Sequence, residues 1–189
     1  MLGLSSGLMY DGPSEIELVN YSSDFSSSVD GWLKSSVDQG DMAITYNQNP
    51  NSDGGPDEDG WLKAVWDTTQ TSASGIRTPN LHSNGILTND TFIISYRIFM
   101  KNDDGQFIGS DDISFRTTIT DGTFSQQTLH ADIAGDEVVN ISIPLTVAGG
   151  GSNDNTNTYV HIQWSQTSTD YAQEDAVIYL KDFTVTHMR

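Results

Sequence analysis

The chain has 189 residues, enough for one well-filled domain, and its 26 acidic against 8 basic residues give a formal net charge of −18. This charge repels nucleic-acid phosphates and anionic membrane surfaces, and no stretch has the length of a membrane span, so we expect neither nucleic acid nor membrane as a partner. The absence of cysteine excludes disulfides, thiolate metal sites and cysteine nucleophiles, and the four histidines have no paired-ligand spacing.

Residues 1–15 are rich in Gly and Ser with scattered apolar side chains, and we interpret them as an N-terminal arm in front of a domain at residues 16–189. Such a terminus normally frays unless it docks on the chain's own body or on a neighbouring subunit, and both alternatives stay open. The candidate assembly residues are the apolar ones of the arm, namely Leu2, Leu4, Leu8, Met9 and Tyr10.

Period-2 alternation of apolar and polar side chains recurs between clusters of Gly, Asn, Asp and Ser, and helical periodicity is almost absent. The many strands that this pattern predicts, separated by turn-rich loops, favour an all-β fold, a two-sheet antiparallel β-sandwich of the jelly-roll type. In chain order the predicted strands are residues 16–22, 42–47, 61–67, 92–100, 112–120, 124–131, 137–147, 158–165 and 176–187.

Two strands in the middle of the chain indicate where the core lies. Residues 92–100 are apolar on both faces apart from Arg97, which predicts a central strand covered on both sides. Trp164 shares a strand face with Val160 and Ile162, so we expect it in the core.

The last predicted strand changes phase. Ile178 and Leu180 are in one register, whereas Phe183 and Val185 are in the other. One extra residue at Lys181-Asp182 restores the register, which is typical of a β-bulge.

Both ends of the domain resemble those of a known family. The segment at residues 18–25 (LVNYSSDF), followed by VDGW at residues 29–32, resembles the opening of jelly-roll carbohydrate-binding modules of families 4, 9 and 22. Those modules begin with an Asn, a small residue, Asp-Phe-Glu and then Gly-Trp. The segment at residues 178–185 (IYLKDFTV) resembles the strand that closes the same fold. The resemblance covers nearly the whole chain and implies the same jelly roll.

The resemblance also implies a metal. In that family a structural calcium often ties the first strand to the last, and the matching positions here are Asp24 and Asp182, whose carboxylates are ligands that calcium prefers. Ser26 stands where the family usually has Glu. The alternative is that both carboxylates cap turns or bulges, and calcium is the one cofactor implied.

The sugar sites of the family use aromatic faces that stack on pyranose rings. The matching candidates are Tyr46, Trp61, Trp66 and Tyr159, and packing in the core or on a sheet is the alternative for each. Trp61 and Trp66 are five residues apart in one predicted strand, so they point to opposite faces and we expect only one in the core.

The solvent-side phase of the predicted strands collects polar side chains, which are further ligand-binding candidates. A concave face of this kind suits a polyhydroxylated or anionic ligand, and a merely solvated face is the alternative. The set is Arg97, Ser114, Arg116, Thr118, Asn140, Ser142, His161 and Gln163.

No catalytic motif is present, and the acidic residues lie mostly in loops beside Gly and Asn, so we expect no enzymatic activity. Two hypotheses of different class remain. The first is a virion structural protein, a capsid decoration, fibre or tail-associated protein similar to those of tailed bacteriophages. It would sit on the virion surface and bind other virion subunits, or copies of itself in a homo-oligomer, through the arm. The second is a stand-alone extracellular carbohydrate-binding module of a secreted polysaccharide-degrading system, with glycans as partners.

Overall fold

A computed structural model describes residues 20–34, 42–67, 74–81, 89–101, 107–108, 115–121, 124–130, 135–146, 158–164, 171–172 and 174–188. Strands make up nearly all the regular structure of these ranges, in which no helix could cross a membrane. The strands are β1 (Asn20–Ser23), β2 (Leu33–Lys34), β3 (Met42–Gln48), β4 (Trp61–Trp66), β5 (Ser74–Arg77), β6 (Thr91–Lys101), β7 (Phe107–Ile108), β8 (Phe115–Asp121), β9 (Phe124–His130), β10 (Val138–Thr146), β11 (Thr158–Trp164), β12 (Tyr171–Ala172) and β13 (Val177–Met188).

The strands form two antiparallel sheets, which confirms the predicted β-sandwich of jelly-roll type. One sheet has six strands in the order β10-β6-β13-β4-β3, with β1 also paired to β13. The other has five strands in the order β2-β5-β11-β8-β9, and β7 pairs with β12 separately. Nine of the thirteen strands coincide with predicted ones. The other four, β2, β5, β7 and β12, have only two to four residues, too few to show alternation.

The longest strand, β13, joins the two ends of the domain. Its first half pairs with β4, with Leu180 opposite Leu62, and its second half pairs with β1, with Thr186 opposite Asn20. The predicted bulge is confirmed between these halves, where the register shifts after Lys181 and Asp182 has a φ of 53°. The bulge therefore lies where β13 changes its neighbour from β4 to β1.

Apolar side chains of both sheets meet in the core. Phe25 and Trp32 of the opening segment belong to it, and the Trp32 ring packs edge-on against Phe183 with ring centroids 4.7 Å apart. The aromatic residues of the two segments that carry the family resemblance, Phe25, Trp32 and Phe183, thus lie in the core. Other core side chains are Ile76, Phe92, Ile94, Tyr96, Ile98, Val160, Ile162 and Val185.

β6 is a central strand of its sheet, between β10 and β13, as predicted. On the outer side its residues are only partly buried except Phe99, which belongs to a second apolar cluster. This cluster consists of Trp61, Phe99, Val177 and Tyr179. Residues 49–60, which contain a 3-10 turn at Pro50–Asp53, lie over this cluster. A Cβ on Gly55 would come within 2.9 Å of the Phe99 ring, so this segment packs closely on the sheet only because glycine occupies that position.

Candidate functional site

The outer side of the five-stranded sheet brings several polar and aromatic side chains together. In β11, Val160 and Ile162 are buried in the core, so Tyr159, His161 and Gln163 point outward, and all three are partly exposed. The neighbouring strand β5 adds Arg77 to these outward-pointing residues, because Arg77 is paired with His161. We call Arg77, Tyr159, His161 and Gln163 the five-stranded outer face.

The side chains of this face contact one another. The Arg77 guanidinium lies 4.2 Å from the centroid of the Tyr159 ring, and its Nε donates a hydrogen bond to the Lys34 carbonyl at 3.3 Å. The Tyr159 ring meets His161 edge-on, with centroids 6.2 Å apart. Leu33 of β2, paired with Arg77, is 53% exposed at the edge of the sheet. The result is a row of cationic, aromatic, imidazole and amide groups.

A glycine beside this row sets the spacing between its strands. A Cβ on Gly75 would lie 2.1 Å from the Ile162 carbonyl oxygen and 2.6 Å from the Gln163 Cα. Any side chain here would push β5 away from β11. Because Arg77 is two residues further along β5, such a displacement would also separate its guanidinium from Tyr159.

The outer side of the six-stranded sheet has a different arrangement, built around Glu58. Arg97 Nη2 lies 2.9 Å from Glu58 Oε2, and Lys181 Nζ lies 2.7 Å from Glu58 Oε1. Arg97 also contacts Asp182 at 3.3 Å and lies over Trp61, 4.9 Å from its ring centroid. Hydrogen bonds from Arg97 and then Lys181 lower the pKa of Glu58, and the bond to Glu58 raises the pKa of Arg97. We call Glu58, Arg97, Lys181 and Asp182 the Glu58 network.

Asp53 anchors the same covering segment at a second point. Its Oδ2 accepts hydrogen bonds from Lys63 Nζ at 2.8 Å and from the Tyr179 hydroxyl, and Lys101 Nζ is 3.9 Å from its Oδ1. Burial opposes ionisation of Asp53, but the hydrogen bonds from Lys63 and Tyr179 outweigh it and the pKa of Asp53 is lowered. Residues 49–60 are therefore attached to the sheet by two acidic side chains.

The four predicted aromatic platforms lie in different places. Trp61 and Trp66 point to opposite faces as predicted, and only one of them lies in the core between the sheets, but both are buried, at 0% and 1% exposure. Trp66 belongs to the core between the sheets, whereas residues 49–60 and the Glu58 network cover Trp61. Tyr46 is 46% exposed on β3, in the six-stranded sheet, beside a pocket of about 500 Å³. Tyr159 is the member of the set on the five-stranded outer face.

The predicted polar face is divided between the two sheets, so its grouping is wrong. Arg97 and its pairing partner Asn140 lie outside the six-stranded sheet with Ser142, whose hydroxyl is 2.9 Å from that of Ser95. His161 and Gln163 lie outside the five-stranded sheet. Alternation shows that a side chain points away from the core but not from which sheet. Ser114 lies outside the described residues, as do the side chains of Arg116, Thr118 and Trp164.

Sequence reasoning missed Arg77, because β5 has four residues and shows no usable alternation. The signal that could have found it is the strand formed by Gly75, Ile76 and Arg77, in which one apolar residue stands between a glycine and a basic side chain. Without the register to β11, nothing in that signal indicates a neighbour of Tyr159.

The structure brings the two predicted calcium ligands together, since Asp24 and Asp182 line one pocket of about 430 Å³ with Asp30. Their carboxylates have other partners, however. Asp24 Oδ1 accepts hydrogen bonds from the Ser26 backbone and hydroxyl, both at 2.9 Å, and Asp182 contacts Arg97. Within the described ranges, no three acidic or histidine side chains are arranged to hold a metal ion. The residues therefore do not fit the calcium that the resemblance implies, and Asp24 closes a turn instead.

The predicted assembly residues, Leu2, Leu4, Leu8, Met9 and Tyr10, lie outside the described residues together with the rest of the arm. Their role and the boundary at residue 15 stay predictions.

Among known proteins, no family model and no curated sequence matches the chain. Solved structures do. A Clostridium thermocellum structure, the CBM22-1 and GH10 modules of endo-1,4-β-D-xylanase 10B complexed with xylohexaose, matches with a TM-score of 0.55 and 14% identity over 89% of this chain. This chain spans 28% of that one. The CBM22-1 xylan-binding domain of Paenibacillus barcinonensis Xyn10C matches with a TM-score of 0.54 and 13% identity, over 92% of this chain and 96% of that one.

The fold is the jelly roll of carbohydrate-binding modules. A cyclase from Fischerella sp. has it as well, with a TM-score of 0.54 and 10% identity over 95% of this chain and 91% of the cyclase. At such identities the likeness concerns the fold, and one fold supports several functions. The function has to be argued from the side chains of this chain.

Proposed function

We propose that this protein is a non-catalytic carbohydrate-binding protein and that a polysaccharide binds on its five-stranded outer face. The observation that carries the proposal is the row formed by Arg77, Tyr159, His161 and Gln163, in which an aromatic ring stands among hydrogen-bonding groups. A sugar ring has an apolar face and a rim of hydroxyls, so it needs both kinds of contact side by side.

The contrast with the other candidates supports this location. Trp61 and Trp66 are buried, and Arg97 is engaged by Glu58 and Asp182, so none of them offers a free contact to a sugar. The likeness to a xylan-binding domain and to a xylanase complexed with xylohexaose supports a saccharide ligand.

Binding without catalysis is favoured by the placement of the described carboxylates. A glycosidase needs two carboxyl groups on either side of the scissile bond. Asp53, Glu58 and Asp182 instead form ion pairs with lysine and arginine side chains on the outer side of the six-stranded sheet. In the part of the chain that the structure describes, the five-stranded outer face holds no carboxylate pair of this kind.

The test is isothermal titration calorimetry, in which the full chain is titrated with soluble xylans, glucans, galactans and uronate polymers. With Tyr159→Ala we expect about 1 kcal/mol less binding free energy, roughly a fivefold weaker affinity, because one aromatic contact is removed. Tyr46→Ala is the matched control, since Tyr46 is an exposed tyrosine of the other sheet, and it should leave the affinity unchanged. Absence of binding to every polymer would refute the proposal, and a loss at Tyr46 alone would move the site to β3.

The virion hypothesis stays a prediction. It depends on the arm at residues 1–15, which lies outside the described residues, and no contact of the described residues bears on it.

A further inference from the structure

We infer that the ligand of the five-stranded outer face is an acidic polysaccharide, one that carries carboxylates along its length. The inference rests on the proposed function, because it names the ligand class of the same face. It follows from where the chain places its charges and from which cations already have partners.

Positive and negative charges are segregated along the chain. Of the 8 basic residues, 7 lie in the described strands, whereas only 2 of the 26 acidic residues do, Asp121 and Asp182. The net charge of −18 therefore comes from residues outside these strands. The strands of the five-stranded sheet contain three basic residues, Lys34, Arg77 and Arg116, against Asp121 alone. This sheet is a locally positive element of a strongly acidic protein.

The cations of the two sheets differ in their partners. On the six-stranded sheet, every basic residue has a carboxylate within 3.9 Å. The four are Lys63, Arg97, Lys101 and Lys181. The contacts of Arg77 are the Lys34 carbonyl and the Tyr159 ring, and no described carboxylate forms an ion pair with it.

The geometry of Arg77 suits a carboxylate. Its Nε donates to the Lys34 carbonyl and its Cζ lies over the Tyr159 ring, so the guanidinium is held while its terminal N–H groups remain as donors. A guanidinium held in this way presents parallel N–H groups that match the two oxygens of a carboxylate, and hydrogen bonds between charged partners are roughly twice as strong as neutral ones.

A second arginine position makes a polymer a better occupant than a single anion. Across β11, Arg77 pairs with His161 on one side and Arg116 pairs with Gln163 on the other. Strand spacing and residue rise place the two arginine Cα atoms about 12 Å apart. A chain with repeated carboxylates can span the distance between these two backbone positions, whereas a small anion cannot.

The net charge of −18 should make the affinity for an acidic polysaccharide depend on ionic strength in an unusual way. At low ionic strength the acidic remainder of the chain repels a polyanion over long distances, and this repulsion is screened beyond about 8 Å at 0.15 M salt. The contact with Arg77 weakens only at higher salt. We therefore expect the affinity to pass through a maximum at intermediate ionic strength.

The experiment compares polygalacturonate, alginate and glucuronoxylan with their carboxyl-reduced forms, which keep the linkage and lose the charge. The full chain is titrated with each by calorimetry at pH 7 and 0.15 M salt. We expect at least one acidic polymer to bind about tenfold more tightly than its reduced form. Arg77→Gln should abolish this preference, so that the acidic and the reduced form bind the variant with equal affinity. Lys101→Gln makes the same change in charge on the other sheet and should keep the preference, and thermal unfolding confirms that both variants are folded.

The outcomes separate the two proposals. Equal binding of acidic and reduced polymers overturns the inference and leaves the proposed function in place. Equal losses from Arg77→Gln and Lys101→Gln also overturn it, because the effect would then come from net charge. If no polymer binds in either form, the proposed function fails with it.

Discussion

The two outer sides of the sandwich use similar side chains for different purposes. Outside the six-stranded sheet, residues 49–60 bury Trp61 and supply Asp53 and Glu58 to neutralise its lysines and arginine. Outside the five-stranded sheet, Tyr159 is partly exposed and Arg77 has no described carboxylate partner. An aromatic ring beneath a guanidinium occurs on both sides. The covering segment makes the first a stabilising contact, whereas we propose that the second contacts a ligand.

The difference has an energetic meaning. The covered side buries large apolar rings and pairs its charges, so its side chains should contribute to the free energy of unfolding and not to binding. Side chains of the five-stranded outer face should instead contribute to binding and little to the free energy of unfolding. Substitutions on the two sides can therefore test this contrast.

The largest effect is expected from Trp61→Ala. It removes a fully buried ring from the cluster with Phe99 and Tyr179, and a Trp→Ala change in such a site costs about 3 to 5 kcal/mol of unfolding free energy. Urea denaturation measures the loss, and glycan affinity of the folded protein should stay the same. A variant of unchanged stability that no longer binds glycans would contradict the contrast and place the binding site on this side.

A smaller effect is expected from Lys181→Met, which keeps the apolar stem and removes the ammonium from Glu58 and the Asp59 carbonyl, at 2.7 and 2.5 Å. Loss of these charge-assisted hydrogen bonds should lower the unfolding free energy by about 1 to 2 kcal/mol. Lys101→Met is the control, because its Nζ is 3.9 Å from Asp53 and an ion pair of that kind contributes under about 1 kcal/mol. Equal losses in both variants would mean that the Glu58 network has no special role.

The smallest effect is a pH dependence of the same covered side. The pKa values of Asp53 and Glu58 are lowered from their ordinary 3.8 and 4.5, so the stability that they contribute is present above those values and is lost as pH falls through the lower folded-state pKa values. The pKa values of Lys63 and Arg97 are raised above their ordinary values, Lys63 by its hydrogen bond to Asp53 and Arg97 by its hydrogen bond to Glu58, so both partners stay charged at neutral pH.

Unfolding midpoints between pH 7 and pH 2.5 test this for the wild type and for the double variant Asp53→Asn/Glu58→Gln. The wild type should be more stable at pH 7, and the difference should shrink as the pH falls below about 4, because other carboxylates titrate equally in both proteins. A difference that is the same at all pH values would show that these ion pairs do not contribute.

Much of the fold could be predicted because local patterns determine it. Alternation located nine of the described strands, and the phase change at Lys181-Asp182 located the bulge, since each depends on a few neighbouring residues. Short strands such as β2 and β5 could not be predicted, because two to four residues do not show a period and their pairing to β11 holds them in place.

The candidate site was predicted only in part, for a related reason. Tyr159 was a candidate as an aromatic side chain, and His161 and Gln163 were candidates because they alternate with buried residues of β11. Arg77 was missed, and Arg97 was grouped with His161 and Gln163 although it lies on the other sheet. Alternation along one strand gives the direction of a side chain relative to the core. It contains no information on which strands pair or which loop lies over a sheet.

The amino-acid sequence determined the all-β class, the strands with a clear period, the bulge and the strong acidity, because these are properties of adjacent residues and of composition. The tertiary structure decided that Trp61 is buried beneath the Glu58 network and that Arg77 lies over the Tyr159 ring. Each of these contacts joins residues through sheet register or the packing of residues 49–60. The residues that meet are often distant in sequence, as Arg77 and Tyr159 are, and only the folded chain places them together.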